Sequence, residues 1–169
     1  SPNIKERRDH SCGVFNSDGF LIAQAAHIPV HLGAMPMTVR TILDMAPFEE
    51  GDIIVLNDPY KGGNHLPDIT TVAPIFYDER LIGFAATRAH HADIGGMAPG
   101  SMPVATELYQ EGLIIPPIRL VEAGKISQAA WSIILRNSRS SSEREGDLRA
   151  QLAATSLGIK RVQSLLDRF

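Results

Sequence analysis

The residues best equipped for chemistry lie between Asn57 and Gly96, in two polar, glycine-rich clusters joined by an apolar segment. The first cluster carries His65 and Asp68 as His-Leu-Pro-Asp, and the second carries His90, His91 and Asp93 as His-His-Ala-Asp. Imidazole nitrogen and carboxylate oxygen are donors that Zn²⁺, Mn²⁺ and Fe²⁺ accept, and a set of two nitrogens and one oxygen leaves room for water or substrate. His65, Asp68 and His90 therefore read as a metal set, to which Asp9 or Asp93 can add a further carboxylate. Pro67 disfavours the helical region for Leu66, so His65 and Asp68 sit on an extended loop. Gly62 and Gly63 beside them let backbone approach a ligand closely. His91 alternates to the far side of a strand from His90, so the two do not serve one ion. Lys61 and Arg88 flank the clusters and could hold an anionic intermediate, and Arg88, His91 and Asp93 are the candidate catalytic side chains.

A hairpin is the element that must bring these groups together. Residues 69–77 and 81–89 are rich in β-branched and aromatic residues and are separated by Asp78, Glu79 and Arg80, a pattern of two strands and a short loop. Pairing them joins their outer ends, where His65, Asp68 and His90 lie. An earlier hairpin is predicted over residues 12–15 and 20–24, turning at Asn16-Ser17-Asp18-Gly19, and it puts Asp9 and His10 just before its first strand. His27 and His31 are four apart, but Pro29 between them argues against one helical face. Both read as hydrogen-bonded loop histidines outside the metal set.

The remaining pattern predicts a helix over 35–46, a buried strand over 53–56, a strand over 118–121 and helices over 126–135 and 142–169. Ser142 followed by Glu145 fits a capping box for the last helix, whose apolar face runs to Phe169 and needs the body, a second subunit or further chain to pack on. Residues 97–103, rich in Pro and Gly, form a connector or a lid. The expected fold is α+β: hairpins in a mostly antiparallel sheet with helices against it, as a single domain over 1–169.

Composition excludes several classes. The chain has 16 Lys plus Arg against 19 Asp plus Glu, a formal charge of −3, so no basic field points to nucleic acid. No apolar run approaches the roughly 20 residues that span a bilayer. Cys12 is the one cysteine and cannot form an internal disulfide; with no leader-like segment at the start, a reducing cytoplasm is the expectation. Its alternating apolar setting reads as a buried, inert thiol. The chain starts at Ser1 rather than Met, which suggests a trimmed chain, a processed product or part of something longer. Gly-x-x-x-x-Gly-Lys-Ser/Thr, Gly-x-Gly-x-x-Gly and Gly-x-Ser-x-Gly are all missing from the sequence, so it offers no nucleotide loop or serine elbow.

The ordered motifs ERRDHSCGVF, HIPVHLGAM, GDIIVLNDPYKGGNHLPD, RAHHADIGG, PGSMP and ELYQEGLIIPP resemble those of the hydantoinase B family, which includes B components of N-methylhydantoinases, 5-oxoprolinases, caprolactamase and ketone carboxylases. The resemblance covers a front part of the family's usual chain. It implies a metal centre at Asp9, His65, Asp68 and His90, holding one divalent ion, zinc or manganese. It also implies a hetero-oligomer in which a hydantoinase A-type subunit binds ATP and phosphorylates the substrate carbonyl, while this chain serves hydrolysis of the activated cyclic amide. Hydantoin, 5-oxoproline and lactams are the substrate classes in question. Carboxylation of a phosphorylated enol and a non-catalytic assembly role are the other readings, and neither a nucleic acid nor a membrane is an expected partner.

Overall fold

Alternation along the central strands decides the architecture. In β3 (Ile53–Leu56) all four residues are buried. Ile53 and Val55 pack into one apolar cluster while Ile54 and Leu56 pack into another. A strand with period-two side chains can do this only when both faces of its sheet are covered.

The chain, a computed structural model describing residues 1–168, builds that sheet from seven strands. With β1 (His10–Asn16), β2 (Leu21–Ala26), β4 (Asp68–Tyr77), β5 (Arg80–His90), β6 (Ile118–Glu122) and β7 (Lys125–Ile126), the order is β2-β1-β5-β4-β3-β6-β7. Every neighbouring pair is antiparallel. A short α1 (Pro2–Lys5) precedes β1, and α2 (Val30–Ile42) covers one face, burying Met35, Val39 and Ile42 against Phe15, Val72 and Phe84. On the other face α3 (Gln128–Arg136) and α4 (Ser141–Leu166) bury Trp131, Ile134, Leu148 and Leu152 against Ile69 and Ala73. The fold is thus α+β with a fully antiparallel sheet. None of its described helices is long and apolar enough to cross a membrane.

Several boundaries differ from expectation for identifiable reasons. The predicted helix over 35–46 starts five residues earlier: Pro29 is its N-cap and Pro36 lies inside it. A proline interrupts a helix it is embedded in but is compatible with a helix start. The buried stripe of Met35, Val39 and Ile42 holds the helix on the sheet despite Pro36. At α4 the expected capping box does not form. Ser140, in a left-handed conformation with φ 53°, is the N-cap and makes no side-chain cap bond. Glu145 instead pairs with Arg149 at 2.7 Å. Phe169, assigned to this helix from the sequence, lies outside the described residues.

Cys12 is exposed, contrary to its reading as a buried thiol. The helix α4 stands over β4 and β5, and the outer strands β1 and β2 keep an open flank. A groove of about 550 Å³ runs there, lined by Cys12, Val14, Ala23, Ala25 and Leu157 among others.

Candidate metal centre

The second hairpin has the register its sequence demands. Asp68 opens β4 directly opposite His90, the last residue of β5. β1 lies on the other side of β5, pairing His10 with Ala89, and the His90 amide donates to the Asp9 carbonyl at 3.0 Å. Three strands therefore deliver Asp9, Asp68 and His90 to one corner. His65 arrives on the preceding loop, where the Asp68 amide donates to the His65 carbonyl at 3.0 Å.

That loop is held from both sides. Asn57, fully buried, donates through Nδ2 to the carbonyls of Leu66 (2.8 Å) and Leu113 (2.9 Å), and its Oδ1 accepts from the Ile115 amide at 2.7 Å. The sequence marks Asn57 only as the start of the first polar cluster, because nothing local shows that its amide reaches Leu113 and Ile115. The expected ligand approach by Gly62 and Gly63 is not what these residues provide. Gly62, at φ +91°, sits against the α2 backbone at Thr38, and Gly63 sits against the Asn57 carbonyl. They let the loop close on its own chain.

Asp68 is the hub of the cluster. Its Oδ2 lies 3.3 Å from His65 Nε2 and 3.6 Å from His31 Nε2, while its Oδ1 lies 3.4 Å from His90 Nδ1. Asp9 reaches His90 Nδ1 through Oδ2 at 3.9 Å and His31 Nε2 through Oδ1 at 3.8 Å. The donors form two overlapping sets, His65–Asp68–His90 and Asp9–His31–Asp68. Burial by itself pushes the Asp68 carboxyl up. The imidazoles of His31, His65 and His90 outweigh it and hold the group well below the usual carboxylate range. The same pairing raises His65 above the ordinary histidine value, against the smaller opposing effect of its burial.

These residues fit a divalent ion. Asp68 Oδ1 is buried with no hydrogen-bond partner, a costly arrangement for a carboxylate unless a cation satisfies it. Donors about 2.1 Å from one ion and a tetrahedral angle apart stand about 3.4 Å from each other, close to the His65–Asp68 and His90–Asp68 separations. Two imidazoles with two carboxylates suit Zn²⁺, Mn²⁺ or Fe²⁺.

The structure departs from the sequence reading at His31. It belongs to this cluster, buried at 1% exposure with Nδ1 2.9 Å from Ser11 Oγ. His27 does stay outside, exposed, with its ring edge-on to His10 at 4.7 Å.

The three candidate catalytic side chains are not gathered at the cluster's open side. His91 points to the α4 face, where Nε2 meets Gln151 Oε1 at 3.1 Å, and its burial lowers its pKa to about 4. Asp93 is saturated. Its Oδ1 accepts from the amides of Gly95 (2.9 Å) and Arg139 (2.8 Å), and its Oδ2 accepts from the Gly100 amide and Arg139 Nη1, both at 3.1 Å. Arg88 is fully buried on the cluster's own face. Nε donates to Thr70 Oγ1 at 2.8 Å, and Nη2 donates to Thr38 Oγ1 at 2.7 Å and the Gly62 carbonyl at 3.0 Å. It clamps α2 to the His65 loop. Lys61 lies exposed at the end of a short 3₁₀ turn, Pro59–Lys61.

A profile of the family described as Hydantoinase B/oxoprolinase matches residues 1–169. The chain is 47% identical over its whole length to an uncharacterised protein of Methanocaldococcus jannaschii, covering 31% of that protein. It is 40% identical, again over its whole length, to 5-oxoprolinase 1 of Arabidopsis thaliana, covering 14% of it. Among solved structures it superposes on the ATP-dependent caprolactamase from Pseudomonas jessenii with a TM-score of 0.88 and 35% identity. That match covers 95% of this chain and 28% of the caprolactamase chain. The chain thus spans less than a third of each of these relatives.

Proposed function

The chain belongs to the hydantoinase B/oxoprolinase family, and from that premise we propose that it supplies the metal-holding half of an ATP-dependent hydrolase of cyclic amides. The observation that carries this reading is the meeting of His65, Asp68 and His90, with Asp9 beside His90 and Asp68, at a carboxylate whose buried Oδ1 has no hydrogen-bond partner. A divalent ion held by these four would act as a Lewis acid toward water and the substrate oxygen.

The residues themselves define how a substrate meets the site. The His65 side chain is 38% exposed and that of Asp9 27%, whereas Asp68 and His31 are enclosed, so the open side is the His65–Asp9 side. Asp68 stays ionised throughout the neutral range and delivers a fixed negative charge from the floor. His90, paired with Asp68 across the hairpin, is tied to Asp9 through its amide.

A lactam or hydantoin carbonyl resists water because amide resonance makes it a poor electrophile. O-phosphorylation removes that resonance and installs a leaving group. In this reading an A-type subunit binds ATP and carries out the phosphorylation, and the activated ring opens at the His65–Asp9 side in a hetero-oligomer. The similarity to a 5-oxoprolinase of Arabidopsis and to the ATP-dependent caprolactamase of Pseudomonas supports an ATP-dependent reaction on a cyclic amide.

The test combines full-length protein, an A-type partner, ATP and a panel of hydantoin, 5-oxoproline and simple lactams. ATP-dependent ring opening that Asp68→Asn abolishes is the expected result. Bicarbonate-dependent acid formation would replace hydrolysis by carboxylation, and no ATP-dependent turnover on any substrate would leave an assembly module.

A further inference from the structure

His31 touches the centre from its enclosed side, and nothing in the proposed ligand set gives it a role. It stands in the first turn of α2, an element that carries no ligand, and its Nε2 faces carboxylates from two different parts of the chain: Asp68 Oδ2 at 3.6 Å and Asp9 Oδ1 at 3.8 Å. Its other nitrogen lies 2.9 Å from Ser11 Oγ, and Ser11 is itself 2% exposed.

The serine fixes the tautomer. A buried hydroxyl proton needs an acceptor. Among the described residues the one hydrogen-bond partner of Ser11 Oγ is His31 Nδ1. Ser11 therefore donates, Nδ1 accepts, and the ring proton resides on Nε2, directed at Asp9 and Asp68. A nitrogen carrying that proton has no lone pair to offer a cation. It is a donor aimed at two carboxylates, and a movement of about 0.4 Å for Asp68 or about 0.6 Å for Asp9 brings the oxygen into hydrogen-bond range.

We propose that His31 is a positioning residue: oriented by Ser11, its Nε2–H holds the Asp9 and Asp68 carboxylates in ligating orientation without itself binding the ion. This rests on the metal reading above and extends it to a residue from the helix layer. Outer partners of ligating groups fix their orientation, and losing one typically costs about 10- to 100-fold in metal affinity.

The experiment measures Mn²⁺ affinity of full-length protein by electron paramagnetic resonance titration, together with the visible absorption of the Co²⁺-loaded form. Circular dichroism checks the fold of each variant. His31→Ala should weaken Mn²⁺ binding about 10- to 100-fold while the Co²⁺ spectrum keeps the shape set by an unchanged ligand set. His31→Gln, which retains an N–H donor, should recover most of the loss, and Ser11→Ala should fall between the two. Wild-type affinity in His31→Ala alongside lost metal in His65→Ala would overturn the proposal and leave the metal reading standing. A Co²⁺ spectrum altered in His31→Gln would also overturn it, by making His31 a ligand. Wild-type metal content in His65→Ala would remove the metal reading and this inference with it. Should His31→Ala fail to fold, the Gln and Ser11 variants decide by the same criteria.

Discussion

Asp68 and His90 are direct cross-strand partners at the open end of the β4–β5 hairpin, and their Oδ1 and Nδ1 atoms stand 3.4 Å apart. That one relationship ties the register of the hairpin to the placement of the candidate metal ligands. A one-residue slip in the pairing would turn Asp68 to the α4 face, so the apolar alternation of both strands sets the centre.

Asp68 should accordingly be the least replaceable residue of the cluster. Asp68→Asn keeps the shape but removes the charge that three imidazoles surround. Elemental analysis should find the variant essentially free of divalent metal after dialysis. Saturating metal should raise the wild-type melting temperature, by about 2.7 kcal/mol of stabilisation at 100 times the dissociation constant, and leave the variant unmoved.

Much of this was legible in the sequence, for local reasons. The β-branched runs around Asp78 and Glu79 specify the hairpin, the bounds of β3 follow from its flanking turns, and both bring the His-x-x-Asp loop to His90. His31 was not legible, because a proline two positions earlier looks the same whether it ends a loop or begins a helix. The sequence places Asp93 near the site but cannot show that Arg139, 46 positions on, fills its oxygens. For Cys12, alternation names a face of the sheet without saying whether a helix covers it.

Asp93 is expected to act on stability rather than turnover. Burial opposes its ionisation, yet the amide and guanidinium donors of Arg139 and the amides of Gly95 and Gly100 hold its carboxyl below the usual value. The unfolded chain therefore takes up the proton first as pH falls. Its stabilisation is complete above the unfolded value of about 4 and drains away below it. Asp93→Asn should cost about 2–3 kcal/mol in urea unfolding at pH 7 and flatten the acid limb of the stability profile. Lost turnover with unchanged stability would instead restore the catalytic role.

Arg88 should behave as a clamp. Arg88→Lys keeps the charge but not the fork that joins Thr70, Thr38 and Gly62. Metal-free protein carrying it should lose about 2–3 kcal/mol of unfolding free energy. Substrate affinity of the residual active fraction should be little changed.

Cys12 should react with a thiol reagent in the native protein without denaturant, since it is exposed on the open flank of β1. Cys12→Ser should keep wild-type metal content and turnover. A thiol silent until the protein is unfolded would show that this flank is covered.

Asp9, His65, Asp68 and His90 are proposed to hold one divalent ion. Anomalous diffraction from crystals of metal-loaded full-length protein, recorded on both sides of the metal absorption edge, locates that ion. A single peak within bonding distance of Asp68 and His90, bordered by Asp9 and His65, is the predicted result. A peak elsewhere, or these four side chains turned apart in metal-replete protein, would contradict it.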